Sequence, residues 1–172
     1  MIHRYLPFCA GAVLLAGCAA RLSPALTAAD NNFVMQAASG GMAEVALGRM
    51  AERQAGSPAV RQLGTQMIAD HTPSNNDLMA LASAKGVTPP AAPDAARTSV
   101  ARQLSTLSGP AFDQQYLTSQ LQDHQVELQL YTDEARSGTD PDLRAYAAKY
   151  LPVLQHHTEE LQSMVSGAGR AG

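Results

Sequence analysis

Apolar residues recur at steps of three and four from about residue 28 onward, and no stretch alternates apolar with polar residues as a strand does. The pattern predicts an all-α fold. A first helix is expected over about 28–55, with Thr27 as cap, Asp30 in the first turn and Gly56-Ser57-Pro58 as its stop. Ser57 then caps a second helix that has Pro58 at its first position and ends at Lys85-Gly86. The stiff stretch VTPPAAP and a short helix near 94–107 follow, enough chain to cross the length of a bundle. Ser108-Gly109-Pro110 opens a third long helix, about 110–136, closed by Ser137-Gly138. The fourth runs from Asp140-Pro141 to about Val165, before the tail GAGRAG. Four long helices with a long crossover between the second and third match the ferritin-like variant of the four-helix bundle, here with a short extra helix in the crossover. A plain up-down-up-down bundle is the alternative.

Helical spacing assigns the inward faces. Phe33, Ala37, Gly40, Gly41, Glu44, Leu47 and Ala51 make the stripe of the first helix. Val60, Leu63, Met67, His71, Leu78 and Leu81 make that of the second, with Ser74 between the histidine and Leu78. Leu117, Leu121, His124, Leu128, Tyr131 and Ala135 follow in the third, and Tyr150, Leu154, His157, Leu161 and Met164 in the fourth. His156, one position from His157, falls about 100° round the helix and points elsewhere.

One polar group per helix therefore converges on the interior: Glu44, His71, His124 and His157. An ionised carboxylate in a core is costly unless it is paired or binds metal. Three imidazoles and a carboxylate form an ordinary ligand set for a single zinc, copper or iron ion, and bundle cores build such sites from facing helices. The competing reading makes the histidines hydrogen-bonded core residues, with Glu44 accepting from His71 or His157. Asp70 and Asp123 precede their histidines by one position and are expected on solvated surface. Glu127 and Glu160 follow theirs by three and are within reach of the same site. The Glu-x-x-His order of di-iron bundles occurs on no helix, which speaks against that centre. Met67, one turn before His71, would suit copper(I), but methionine is also the common filler of irregular cores. Pro73 and Pro152 fall inside helices, and a kink or break is expected at Pro73, with Thr72 available to cap a restarted helix.

The amino terminus changes the picture of where the protein works. MIHRYLPFCAGAVLLAGCAA has Arg4, an apolar run and then Leu-Ala-Gly-Cys. The run is shorter than the about 20 residues that span a bilayer, so residues 1–17 read as a signal peptide. The ending resembles the lipobox of bacterial lipoproteins, which implies that Cys18 becomes the lipidated first residue, anchored in the membrane. Ala19 rather than Asp after it implies sorting to the outer membrane, facing the periplasm. Residues 18–27 would be a tether, 28–165 the bundle and 166–172 a flexible tail. Loss of Cys9 with the signal leaves one cysteine and no intrachain disulfide, so stability must come from a core.

With 12 Lys and Arg against 15 Asp and Glu, no basic patch calls for nucleic acid. No serine-nucleophile motif, phosphate loop, Cys-x-x-Cys pair or dinucleotide fingerprint is present.

GGMAEVALGRMA, MIADH, NNDLMALASAKG, FDQQYLTSQLQDHQ and LPVLQHH together resemble the bacterial domain of unknown function family 4142 (DUF4142), over about Asp30 to Met164. The resemblance implies an exported or outer-membrane protein with a ferritin-like helical fold and no established activity. It places Glu44, Asp70-His71, Phe112-Asp113, Tyr116, His124 and His157 at the positions of the family pattern; Pro73 straight after His71 departs from it. Three functions remain in view. They are a lipoprotein holding one metal ion for storage, buffering or stress protection, a metal-free interaction domain meeting an envelope partner through its acidic surface or the Gly40-Gly41 face, and a redox enzyme with an open metal position.

Overall fold

The computed structural model describes residues 25–168. The expected signal segment, Cys9, Cys18 and most of the tether lie outside them, as do the last four residues. Five helices follow in order: α1 (Ala28–Gln54), α2 (Pro58–Ala84), α3 (Ala95–Leu104), α4 (Gly109–Ser137) and α5 (Pro141–Ala168). Their ends obey local chemistry. Thr27 and Asp30 form a reciprocal capping box at the start of α1. Ser57 caps α2 ahead of Pro58. At its other end Gly86, with φ +69°, lets Val87 N–H return to the Ala82 carbonyl at 2.9 Å. Asp94 caps α3, and the Asp140 carboxylate accepts from Asp142 and Leu143 N–H at the start of α5.

α1 packs on α2 and α4 on α5 as two hairpins, while α1 also meets α4 and α2 meets α5. The helix directions follow from what meets at each end. Asp30 at the start of α1 accepts from Thr139 N–H at 2.9 Å, just before α5, and Lys85 after α2 pairs with Asp140 at 2.7 Å. At the opposite end Ala55 bridges Gly109, and Asp113 accepts from the Gly56 and Ser57 N–H groups at 2.9 and 2.8 Å. The crossover therefore runs the full length of the bundle, making α4 parallel to α2. That is the ferritin-like arrangement, not the plain up-down-up-down alternative. The short helix α3 of the crossover lies against α1 and α4.

α2 runs unbroken through Pro73, so the expected break does not occur. Thr72 does not cap a restart; its hydroxyl donates back to the Ile68 carbonyl at 2.6 Å. α1 and α2 approach closely where Gly48 faces Gly64. A Cβ on Gly48 would lie 2.7 Å from the Gly64 carbonyl oxygen, too near for any side chain.

Two apolar clusters fill the bundle. One gathers Phe33, Leu78, Leu143, Leu154, Tyr131 and Tyr146; the other gathers Leu47, Leu63, Met67, Phe112, Tyr116 and Leu161. Met67 thus belongs to the packed core. Between the clusters lies a layer of buried polar side chains.

Candidate functional site

Each of the four long helices sends a polar side chain into that layer, and all four are buried: Glu44 from α1, His71 from α2, His124 from α4 and His157 from α5. The three imidazoles form a nearly regular triangle, with ring centroids 5.6 Å apart for His71–His124, 5.4 Å for His71–His157 and 5.5 Å for His124–His157. One nitrogen of each lies within 4.8 Å of the other two. Helical phase read from the sequence thus brings the three histidines to one level.

The hydrogen bonds fix which nitrogen two of the rings offer. His124 Nδ1 lies 3.1 Å from the Gln120 carbonyl, one turn back on α4, and a carbonyl only accepts, so the proton sits on Nδ1. His157 Nε2 lies 2.9 Å from Asp70 Oδ2, which assigns its proton to Nε2 in the same way. The remaining nitrogens, Nε2 of His124 and Nδ1 of His157, are buried and have no partner, as is Nε2 of His71. Burial, followed by the neighbouring histidines, holds His71 well below the ordinary imidazole range. Burial and then His157 lower His124 to about 3, while for His157 burial outweighs the bond to Asp70. All three are neutral at pH 7 and present lone pairs, the form that binds metal.

Asp70 is not idle surface. One position before His71 it turns away from that ring, but about 100° round α2 it reaches the neighbouring helix α5 and orients His157. A carboxylate or carbonyl on the far nitrogen of an imidazole is the usual support of a metal ligand. Asp123 corrects the surface expectation too. Arg97 from α3 grips it through Nε at 2.9 Å and through the terminal nitrogen Nη2 at 2.8 Å.

Glu44 sits beside the triangle, not within it. Its Oε1 is 3.6 Å from His124 Nδ1, beyond a good hydrogen bond, and it groups instead with Asp123 and Glu127, whose oxygens lie within 4.8 Å. Burial, then the charges of Glu127 and Asp123, push the Glu44 carboxyl well up. Burial and Asp123 raise Glu127 to about 8 against the pull of Arg97. Glu160 stays outside the layer, 4.0 Å from the exposed His156.

Ten buried side-chain polar atoms among the described residues lack a partner. Eight belong to Glu44, His71, Tyr116, Gln120, His124 and His157, so the unmet hydrogen-bonding capacity is concentrated in and beside this layer.

The Gly40-Gly41 face, expected as a surface for a partner, is buried. A Cβ on Gly40 would collide with Glu127 Oε1 and one on Gly41 with Asn75 Oδ1. Arg97 and Asp113 are the residues sequence reasoning missed. Both act across more than 20 positions of chain, and only the Phe112-Asp113 motif hinted at the second.

Among the described residues no helix is long and apolar enough to cross a membrane. A comparison with curated proteins gave no match. Among solved structures the fold is similar to a DUF305 fragment from Deinococcus radiodurans, with TM-score 0.72 and 16% identity, covering 83% of this chain and 99% of that one. It is also similar to a conserved hypothetical protein, rv2844, from Mycobacterium tuberculosis, with TM-score 0.62 and 18% identity over 80% and 91% of the two chains. At such identities the likeness concerns the fold. The sequence profile of the domain of unknown function DUF4142 matches residues 17–164, and the chain belongs to that family.

Proposed function

We propose that this protein is an envelope lipoprotein that holds one transition-metal ion, zinc, copper or iron, between His71, His124 and His157, for storage, buffering or stress protection. The observation that carries the reading is the set of three buried, unpartnered imidazole nitrogens at one level, two of them with the opposite nitrogen already tied to an oxygen. Nitrogens sharing one ion lie roughly 3.3 Å apart, given metal–nitrogen bonds of about 2.0–2.1 Å. Ring movements of about 1 Å would bring the present separations to that value. His124 would bind through Nε2 and His157 through Nδ1, with Asp70 and the Gln120 carbonyl as their supports. Glu44, with Oε1 3.6 Å from His124 Nδ1, stands beside the ion site and outside its nitrogen shell.

Protein purified without a histidine tag and dialysed mildly should retain about one transition-metal ion per chain, and alanine at any of the three histidines should abolish this. A wild type free of metal, whose melting temperature no added ion changes, would return the histidines to polar core residues. It would leave a metal-free domain that meets an envelope partner. The membrane anchor is tested separately: Cys18→Ser should abolish labelling by fatty acid and release the protein from the membrane fraction. Persistent labelling of the variant would sink the lipoprotein reading.

A further inference from the structure

The carboxylates beside the histidines have a geometry of their own. Asp123 and Glu127 lie four apart on α4, a spacing at which like charges normally disfavour a helix, and both converge with Glu44 of α1. The chain has made room for this. At Gly40, one turn before Glu44, a Cβ would strike Glu127 Oε1 and lie 2.8 Å from its Cδ. Glycine inside a helix costs about 1 kcal/mol relative to alanine, so α1 gives up both a side chain and local stability at the place where a buried carboxylate is seated.

Asp123 is held by Arg97, but what surrounds the two inner acids does not satisfy them. Among the described residues neither oxygen of Glu44 has a hydrogen-bond donor, and Glu127 is reached by Arg97 at 3.5 Å. Arg97 commits its closer bonds to Asp123 and to Asp94, at 2.7 Å, and so guards the outer edge without serving the inner carboxylates. Gln120, one turn before His124 and 1% exposed, has no partner for either atom of its side-chain amide. Gln120, Arg97 and Asp123 also line an open cleft of about 210 Å³ between α1, α3 and α4.

We infer that Glu44, Asp123 and Glu127 form a second cation site, ligated by oxygen alone, beside the histidines and reached through the cleft under α3. Its ligand is a hard divalent cation of the manganese, magnesium or calcium class, which carboxylate and amide oxygens select, whereas the imidazoles select zinc or copper. Oxygens around such an ion stand roughly 3–4.5 Å apart for bonds of about 2.0–2.6 Å, so the present spacing needs little contraction. Gln120, whose amide has no partner, stands on the same face of α4 as Asp123 and Glu127 by steps of three and four and lines the cleft with Asp123, so its Oε1 is the candidate further ligand.

The test titrates Mn²⁺ into the full chain carrying one equivalent of Zn²⁺, with free Mn²⁺ read by electron paramagnetic resonance and bound zinc by elemental analysis. The wild type should take up one Mn²⁺ per chain in addition to its zinc. Glu127→Gln, close to isosteric, should weaken Mn²⁺ at least tenfold with zinc retained, and Gly40→Ala should do the same by displacing the carboxylate. His157→Ala should lose zinc and keep Mn²⁺. Should Gly40→Ala fail to fold, Glu127→Gln alone decides. No Mn²⁺ uptake by zinc-loaded wild type, or equal affinity in Glu127→Gln, overturns the second site and leaves the histidine reading standing. Mn²⁺ uptake by a protein that refuses zinc overturns the histidine reading and supports this one.

Discussion

Two polar layers lie next to each other in the same bundle and are built differently. Ser74 follows His71 by three residues on α2, and Tyr131 follows His124 by seven on α4, so the two layers share helices and stand one to two turns apart. In the first, Ser74 Oγ and Tyr146 Oη meet at 2.8 Å, Tyr131 Oη lies 3.2 Å from Tyr146 Oη, and the Ser74 carbonyl accepts from Tyr146 at 3.3 Å. That layer is closed: its hydroxyls answer one another. In the second, one nitrogen of each histidine and both oxygens of Glu44 have no hydrogen-bond partner. A buried hydrogen bond contributes about 1 kcal/mol, while an unmet polar group costs about 1–3 kcal/mol, so chance placement does not account for several unmet groups together. The contrast separates polar residues that hold the fold from polar residues held ready for something else.

The largest expected effect breaks the contrast by closing the open layer. Zinc at one hundred times its dissociation constant should stabilise the wild type by about 2.7 kcal/mol, a rise in melting temperature on the order of 5–10 °C. His71→Ala, His124→Ala and His157→Ala should each remove most of that rise. Differential scanning calorimetry with and without zinc measures it, and an unchanged rise in all three variants would place the ion elsewhere.

Tyr146→Phe attacks the closed layer instead. Ser74 and Tyr131 would lose their common partner, so baseline stability in denaturant should drop by about 1–3 kcal/mol, with the zinc-dependent increment intact. A loss of the zinc increment as well would mean that the two layers act as one network.

pH sharpens the same comparison, because the groups of the open layer titrate with opposite signs. His124, lowered to about 3 in the fold, contributes stability that is complete above about pH 6.5 and is lost as pH falls from there toward 3, since only the unfolded chain takes the proton. Glu127, raised to about 8, contributes stability present below about pH 4.3 and lost as pH rises toward 8. Metal-free protein should therefore weaken on both sides of a maximum. His124→Gln should flatten the acid limb by about 1.4 kcal/mol per pH unit below pH 6, and Glu127→Gln should flatten the other. Urea titrations from pH 4 to pH 8 supply the slopes.

Much of this was legible in the order of residues, for a definite reason. Steps of three and four place side chains on one face of a helix whatever the helix packs against, so Glu44, His71, His124 and His157 could be read as inward before any partner was known. The crossover was legible because a proline-rich stretch with a short helix spans a bundle. What stayed hidden depends on how the helices are set against one another. Asp70 and Asp123 lie off the stripes of their own helices and looked like surface, yet each reaches another helix, His157 on α5 and Arg97 on α3. Asp113 ties down the turn between α1 and α2 from 56 and 57 positions away, which no local signal reveals. Gly40 and Gly41 looked like a smooth face for a partner because a missing side chain does not say whether solvent or a neighbour's carboxylate fills its place.

The smallest expected effect is the most direct test of helical phase. His156 and His157 are adjacent, chemically identical and near the middle of α5, so any difference between them comes from the roughly 100° that separates them around the helix. His157 is fully buried, bonds Asp70 and belongs to the imidazole triangle, whereas the His156 side chain is 67% exposed and only approaches Glu160 at 4.0 Å. An exposed pair at that distance contributes little, and surface substitutions away from special features usually fall within about 0.5 kcal/mol. His156→Ala should therefore leave stability within that range and leave zinc content and its pH dependence unchanged, while His157→Ala alters all three. Paired measurements on the two variants at pH 7 decide the matter. Equal losses would show that position along the chain, rather than the face of the helix, governs this level of the bundle.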